Sequence, residues 1–292
     1  MTGRRGGAGE RGAALLLVLW LIVLLTALVG AFALTARVEQ MQGRVLAHAV
    51  VGDQVARAGL EYALLRLRDT DPQARWIPDG RPYEWDFNGV PLELRIVDET
   101  GKVDLNGADQ ALLAGLMAAL GAEPADAERL AGAIIDWRDP DDLGQLVGAA
   151  EDPQYAAAGL PYGAKDAPFE AVSELELVLG MPPELAAGMA GHVTVHAGRP
   201  RPDPNYAGAV VLQAMGIDPE PVLAGRQMED ESLGAGAFAG TGSGTWSIDS
   251  RARLPDGRQS RLQAVVRAGG GLPGAAYTPL RWKQGAVAPD GD

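Results

Sequence analysis

Cysteine is missing from all 292 residues. That removes zinc–thiolate sites, dithiol redox motifs and cysteine nucleophiles, and leaves no disulfide to brace a core. Histidine is nearly absent too, with only His48, His192 and His196, so a histidine-rich catalytic or metal cluster is not expected. Neither a GxSxG elbow nor an HExxH helix occurs. Positive charge is also short: 25 Lys and Arg stand against 38 Asp and Glu, a formal net charge of -13. Nucleic acid is held largely by cations that displace its counterions, so no nucleic-acid partner is expected. The same acidic surplus suits divalent cations and basic protein surfaces.

Long apolar runs are rare as well, with one exception near the start. From Ala13 to Ala36 there is no charge, and Thr26 and Thr35 are the polar residues. As a helix this run is about 36 Å long, at about 1.5 Å per residue, and it crosses a hydrocarbon core of about 30 Å. A cleaved secretory signal is a second reading, since Ala31-Phe32-Ala33 has the form of an A-x-A site, although such signals carry shorter apolar segments. Arg4, Arg5 and Arg11 precede the run. By the positive-inside rule they keep the N-terminus cytoplasmic and place the chain beyond about Arg37 on the far side.

Beyond the run, Val38 to about Leu67 continues with helical spacing. Arg81–Phe87 and Val90–Asp98 then read as strands joined by Asn88-Gly89, a two-residue hairpin turn. From Val103 to about Met215 the chain is rich in Ala and Leu and reads as short helices. Two similar segments bracket this stretch. Asp104-Leu105-Asn106-Gly107-Ala108 precedes a helix ending near Leu120-Gly121, and Asp203-Pro204-Asn205-Tyr206-Ala207 precedes one ending near Met215-Gly216. Both are expected to supply helix caps. Ala125–Trp137 and Val172–Met189, with a turn at Leu177–Met181, resemble helix-hairpin-helix or SAM-like packing. Gly225–Thr245 reads as a loose segment, and Trp246–Arg253 with Ser260–Arg267 as returning strands. Tyr277–Trp282 is a candidate edge strand.

The densest chemistry lies in Asp136-Trp137-Arg138-Asp139-Pro140-Asp141-Asp142 and, shortly after, Glu151-Asp152. Carboxylates this close raise one another's pKa unless something neutralises them. Calcium takes about 6–8 oxygen ligands and tolerates irregular loops, so Asp136, Asp139, Asp141, Asp142, Glu151 and Asp152 are candidate ligands. A solvated acidic loop and a paired-carboxylate hydrolase are the other readings. His192 and His196 read as sharing one face of a strand.

Several of these features together resemble the general secretion pathway protein K family, the minor pseudopilin K of type II secretion. They are the Arg11-Gly12-Ala13 junction, the apolar helix after it, Asp104-Leu105-Asn106, Ala133-Ile134-Ile135-Asp136-Trp137-Arg138-Asp139-Pro140-Asp141 and Asp203-Pro204-Asn205. The junction resembles a prepilin signal. The resemblance implies that prepilin peptidase cuts after Gly12 and that Ala13 becomes the N-methylated mature terminus. Most members of the wider pilin family carry glutamate at the fifth mature position, where this chain has Leu17. A charge buried in lipid is costly without a partner, so the substitution suits a subunit at the tip of a fibre.

The implied fold is α+β: a type IV pilin-like long N-terminal helix and small antiparallel sheet, interrupted by a large all-α domain. The expected segments are 1–12 leader, 13–36 transmembrane, 37–102 helix and first strands, 103–216 inserted α-domain, 217–282 second half of the sheet with a loop, and 283–292 tail. The resemblance further implies a non-enzymatic subunit that primes the pseudopilus with minor pseudopilins I and J. It would be anchored once in the bacterial inner membrane with its C-terminal domain periplasmic, and would bind structural calcium. A membrane-anchored periplasmic hydrolase using the acidic cluster is the alternative.

Overall fold

Two hydrophobic cores form, one behind a sheet and one among helices. The computed structural model describes residues 9–71, 73–233, 242–269 and 276–287. The first residues of the expected leader, the glycine-rich stretch 234–241 and the last five residues of the expected tail therefore lie outside the described residues. Helix α1 spans Gly9–Leu67. The chain divides into two units, one ending at Gly52 and one beginning at Asp53.

In the first unit, Leu15–Thr35 is long and apolar enough to cross a membrane, and none of it is buried within the protein. Its two threonines satisfy themselves along the helix: Thr26 Oγ1 donates to the Ile22 carbonyl and Thr35 Oγ1 to that of Ala31.

In the second unit, Val55, Ala56, Leu60, Ala63 and Leu64 form the buried stripe of α1. They meet Leu92, Leu94, Ile96, Ile248, Leu262 and Val266 from one face of a five-stranded antiparallel sheet. Gly59 permits this approach, because a Cβ there would run into Ser250 and Leu92. The strands are β1 (Asp79–Phe87), β2 (Val90–Asp98), β5 (Thr245–Arg253), β6 (Gln259–Ala268) and β7 (Tyr277–Val287), in that spatial order. Asn88 and Gly89 take φ of 53° and 82°, the left-handed pair that a two-residue hairpin needs. The edge strand expected at Tyr277–Trp282 is β7, which runs on to Val287.

Strands β2 and β5 pair from Leu92 with Ala252 to Asp98 with Trp246. They are hairpin partners whose connection holds the second core. Within it lie β3 (Val103–Asp104), α2 (Gln110–Ala119), α3 (Pro124–Arg138), α4 (Asp152–Ala157), α5 (Pro183–Met189), β4 (Val193–Thr194), α6 (Ala209–Ala214) and α7 (Pro219–Leu233). Leu113, Leu116, Met117, Leu130, Ile134 and Leu212 pack at its centre. The insertion starts and ends at one clasp: the fully buried Asp98 accepts from Thr100 N (2.9 Å) and Oγ1 (2.6 Å) and from Ser243 N (3.1 Å) and Oγ (2.9 Å).

A second tie joins sheet and helices. Glu99, buried, pairs with Lys102 Nζ at 2.7 Å and accepts from Ser247 of β5 and Thr194 of β4. Burial pushes the Glu99 carboxyl up, but Lys102 and the two hydroxyl donors outweigh it and hold it below the usual range.

Three local expectations change. Gly225–Thr245 is not loose throughout, since α7 runs to Leu233; the 217–282 stretch therefore opens with a helix. Asp218 fastens its first turn by accepting from Glu220 N at 3.1 Å, and the good helix formers Leu223, Ala224, Arg226, Gln227, Met228 and Glu229 favour helix there. The two D-x-N-x-A segments are not caps but turns lying before the helices, and α2 is capped instead by Asp109, which accepts from Leu112 N at 2.8 Å. The His192–His196 strand shrinks to Val193–Thr194, paired in parallel with Val103–Asp104.

Candidate functional site: the acidic loop after helix α3

Helix α3 buries Leu130, Ala131, Ile134 and Trp137, a 3–4 spacing that sets one face to the core. That placement decides what the acidic motif does. Asp136 falls on the buried side and is fully enclosed. Its carboxylate accepts from Ala150 N at 2.7 Å and from Gln145 N at 3.1 Å, drawing the loop between α3 and α4 into a closed arc. Burial raises the Asp136 pKa against these bonds, and Asp139 adds to the rise. Trp137 joins Tyr155 and Phe169 in a tilted aromatic group, and its Nε1 donates to Glu174 at 3.4 Å.

Arg138, which sequence reasoning assigned no role, turns its guanidinium inward. It donates to the carbonyls of Leu105 and Ala108, the latter at 2.6 Å. Burial lowers its pKa, while Asp104 and Asp139 oppose the fall.

The loop closes on α3 through backbone. Gly132 leaves room for the Val147 carbonyl, and Gly148, at φ 88°, lies against the Arg129 carbonyl. Ala150 is buried and its N–H is the one that Asp136 holds. The outer part is open to solvent: Asp141 and Asp142 are exposed, and Asp141 bonds the backbone of Leu143 at 2.9 Å.

Glu151 ends the arc. It is 6% exposed, and its Oε1 is buried with no hydrogen-bond partner. Burial raises its pKa, and Asp136, Asp166, Asp142 and Asp141 push it further, to about 7. Asp166 was not among the candidate ligands. It lies fifteen residues further along, in left-handed backbone at φ 53°, and burial, Asp152 and Asp142 raise its pKa. The signal available in the sequence was an Asp in a Gly-, Ala- and Pro-rich loop. Asp152 begins α4, with its carboxylate against Gly163.

Asp136, Asp141, Asp142 and Asp166 thus all act electrostatically on Glu151. Asp139 acts on Asp136 and Arg138, and Asp152 on Asp166. Among the described residues, no three Asp, Glu or His side chains are gathered as an ion-binding set. Gly12 and Ala13 lie in the helical backbone of α1. The histidines sit elsewhere: burial lowers the pKa of both His192 and His196.

Residues 93–198 match the family model of type II secretion system (T2SS), protein K. The type II secretion system protein K of Klebsiella pneumoniae is 30% identical over 193 residues, 59% of this chain and 58% of that protein. The chain therefore spans under two thirds of the curated relative it matches. The fold resembles a chain in the crystal structure of the GspK-GspI-GspJ complex from the enterotoxigenic Escherichia coli type 2 secretion system. The TM-score is 0.56 at 18% identity, covering 86% of this chain and 99% of that one. The family resemblance read from the sequence holds, and so does the α+β fold with its apolar N-terminal helix.

Proposed function

We infer the function from kinship with type II secretion system protein K, the family whose domain this chain carries at residues 93–198: the chain is a membrane-anchored minor pseudopilin. The observation that carries this reading is the interrupted hairpin. A long helix opens with an apolar run and packs Val55–Leu64 on an antiparallel sheet, and the helical domain matched by the family sits between β2 and β5. Helix and sheet are the parts of a fibre subunit, and the inserted domain lies between two of its paired strands. Leu17 leaves the apolar run that begins at Ala13 without a carboxylate, which suits a subunit with no neighbour above it.

On this reading the subunit sits at the pseudopilus tip, primes assembly with pseudopilins I and J, and supports export of folded proteins. It is a structural component and not an enzyme. Arg4, Arg5 and Arg11 keep the N-terminus cytoplasmic in the inner membrane. Prepilin peptidase cleaves after Gly12, and Ala13 is methylated. Mass spectrometry of the N-terminal peptide tests this: a methylated start at Ala13 supports it, and a start after Ala33, or no cleavage, overturns it. Loss of secretion on deletion, restored by the wild-type gene but not by one lacking residues 13–36, tests the anchored role.

We further propose that the acidic loop takes up a calcium ion, which would draw together carboxylates that are not gathered as an ion-binding set among the described residues. The support is the mutual repulsion of the carboxylates around Glu151 together with its buried, unpartnered oxygen, a strain that a hard cation relieves. Glu151, Asp141, Asp142 and Asp166 are the first residues to hold it, with Asp139 and Asp152 at the margins. Asp136, already bonded to two backbone amides, braces the loop. The ion would neutralise the cluster and stiffen the arc. Millimolar calcium should raise the thermal midpoint relative to chelator, and Glu151→Gln should abolish the rise. An equal rise in that variant rejects the site.

A further inference from the structure

The resemblance between the two D-x-N-x-A segments extends far past five residues. In the first, Asp104 Oδ1 accepts from Asn106 N at 2.8 Å, and the Asp104 carbonyl accepts from Gly107 N and Ala108 N at 3.1 and 2.9 Å. In the second, Asp203 Oδ1 accepts from Asn205 N at 3.0 Å, and its carbonyl from Tyr206 N and Ala207 N at 3.1 and 3.0 Å. A short helix comes after each turn, α2 or α6. Each ends in a left-handed glycine, Gly121 at φ 94° or Gly216 at φ 75°. The closing bonds correspond: Gly121 N to Ala118 O and Ala122 N to Met117 O, against Gly216 N to Gln213 O and Ile217 N to Leu212 O, all between 2.9 and 3.0 Å. A proline three residues on, Pro124 or Pro219, opens the next helix, α3 or α7.

Each of those helices then returns an arginine to its own turn. Arg138 donates to the carbonyls at the second and fifth residues of the first turn, Leu105 and Ala108. Arg226 donates to the carbonyls at the second and fifth residues of the second turn, Pro204 and Ala207, the latter at 2.8 Å. Each arginine also feels the Asp that opens its turn, Asp104 or Asp203. The second copy is four residues shorter between turn and glycine, and seven shorter between proline and arginine. Those differences are about one and two helical turns, at about 3.6 residues each, so the arginine comes back to nearly the same face.

We infer that residues 104–138 and 203–226 are two versions of one structural unit, and that Arg138 and Arg226 are its positioning residues. The two have taken different work. The first unit leads directly into the acidic arc, through Asp136 and Asp139. The second is the foothold on the sheet: Asp203 N donates to the Thr100 carbonyl at 2.7 Å, and the Tyr206 carbonyl lies against Gly101, just past β2. This inference stands apart from the pseudopilin and calcium readings.

Amide hydrogen exchange on the full chain tests it. Arg138→Met should speed exchange at Asn106–Ala108 and at the arc amides of Gln145 and Ala150. The expected factor is on the order of tenfold or more, as for loss of a charge-assisted hydrogen bond. Arg226→Met should do the same at Asn205–Ala207 and Gly101, leaving the arc unchanged. Arg138→Lys and Arg226→Lys keep the charge but not the two-carbonyl reach, and serve if the methionine variants do not fold; they should loosen the same amides. Unchanged turn exchange in either position, or equal loosening of both turns by one substitution, overturns the inference.

Discussion

Glu151 and Asp136 show how one cluster divides its labour. Asp136 is enclosed and bonded to two amides, so Asp136→Ala should cost about 1–3 kcal/mol by stranding them, measured by urea unfolding. Glu151 behaves oppositely. Its carboxyl ionises near 7 in the fold against an ordinary 4.5, so between those values the folded chain holds a proton that the unfolded chain has released. In chelator, stability should therefore fall as pH rises through that window and stay low above it. Glu151→Gln should flatten the fall; a wild-type profile that rises with pH instead would contradict the assignment. The acidic composition of this loop was legible in the sequence, but its division was not. Which carboxylate faces inward depends on the face of α3 that the core takes, and Asp166 enters from a loop with no periodicity to place it.

At the scale of elements, α3 and the arc are held by close backbone approach. Gly132→Ala places a methyl on the Val147 carbonyl, and should destabilise the protein by about 1–3 kcal/mol while shifting the amide resonances of 145–150. Elements with strong periodicity or a fixed turn were readable: the β1–β2 hairpin from Asn88-Gly89, and β2 from alternating Leu92, Leu94 and Ile96. Those governed by distant contacts were not. The D-x-N-x-A segments carry cap-type residues, but Asp104 and Asp203 spend their oxygens on tight turns, the first of them also accepting from Gly198 N at 2.6 Å. Helix α7 was obscured because the glycines after it made the whole stretch look loose.

Across the whole molecule, the helical region enters and leaves through the Asp98 clasp. Replacing residues 99–243 by Asn-Gly should leave a β-rich, cooperatively melting domain, detected by circular dichroism; loss of a cooperative transition would show that sheet and helices stand or fall together. The same clasp has a consequence for how the chain is made. Strand β2 is finished early, yet its partner β5 is synthesised only after the whole helical region, so β2 waits with one edge unpaired, the arrangement most open to wrong pairing. Bringing Asp98 to Trp246 across an unstructured chain carries a large loop-closure entropy. A helical region that folds first draws those ends together. It is then an assembly jig in cis, and substitutions that slow its folding should reduce yield through aggregation of the sheet even where the finished protein is scarcely less stable.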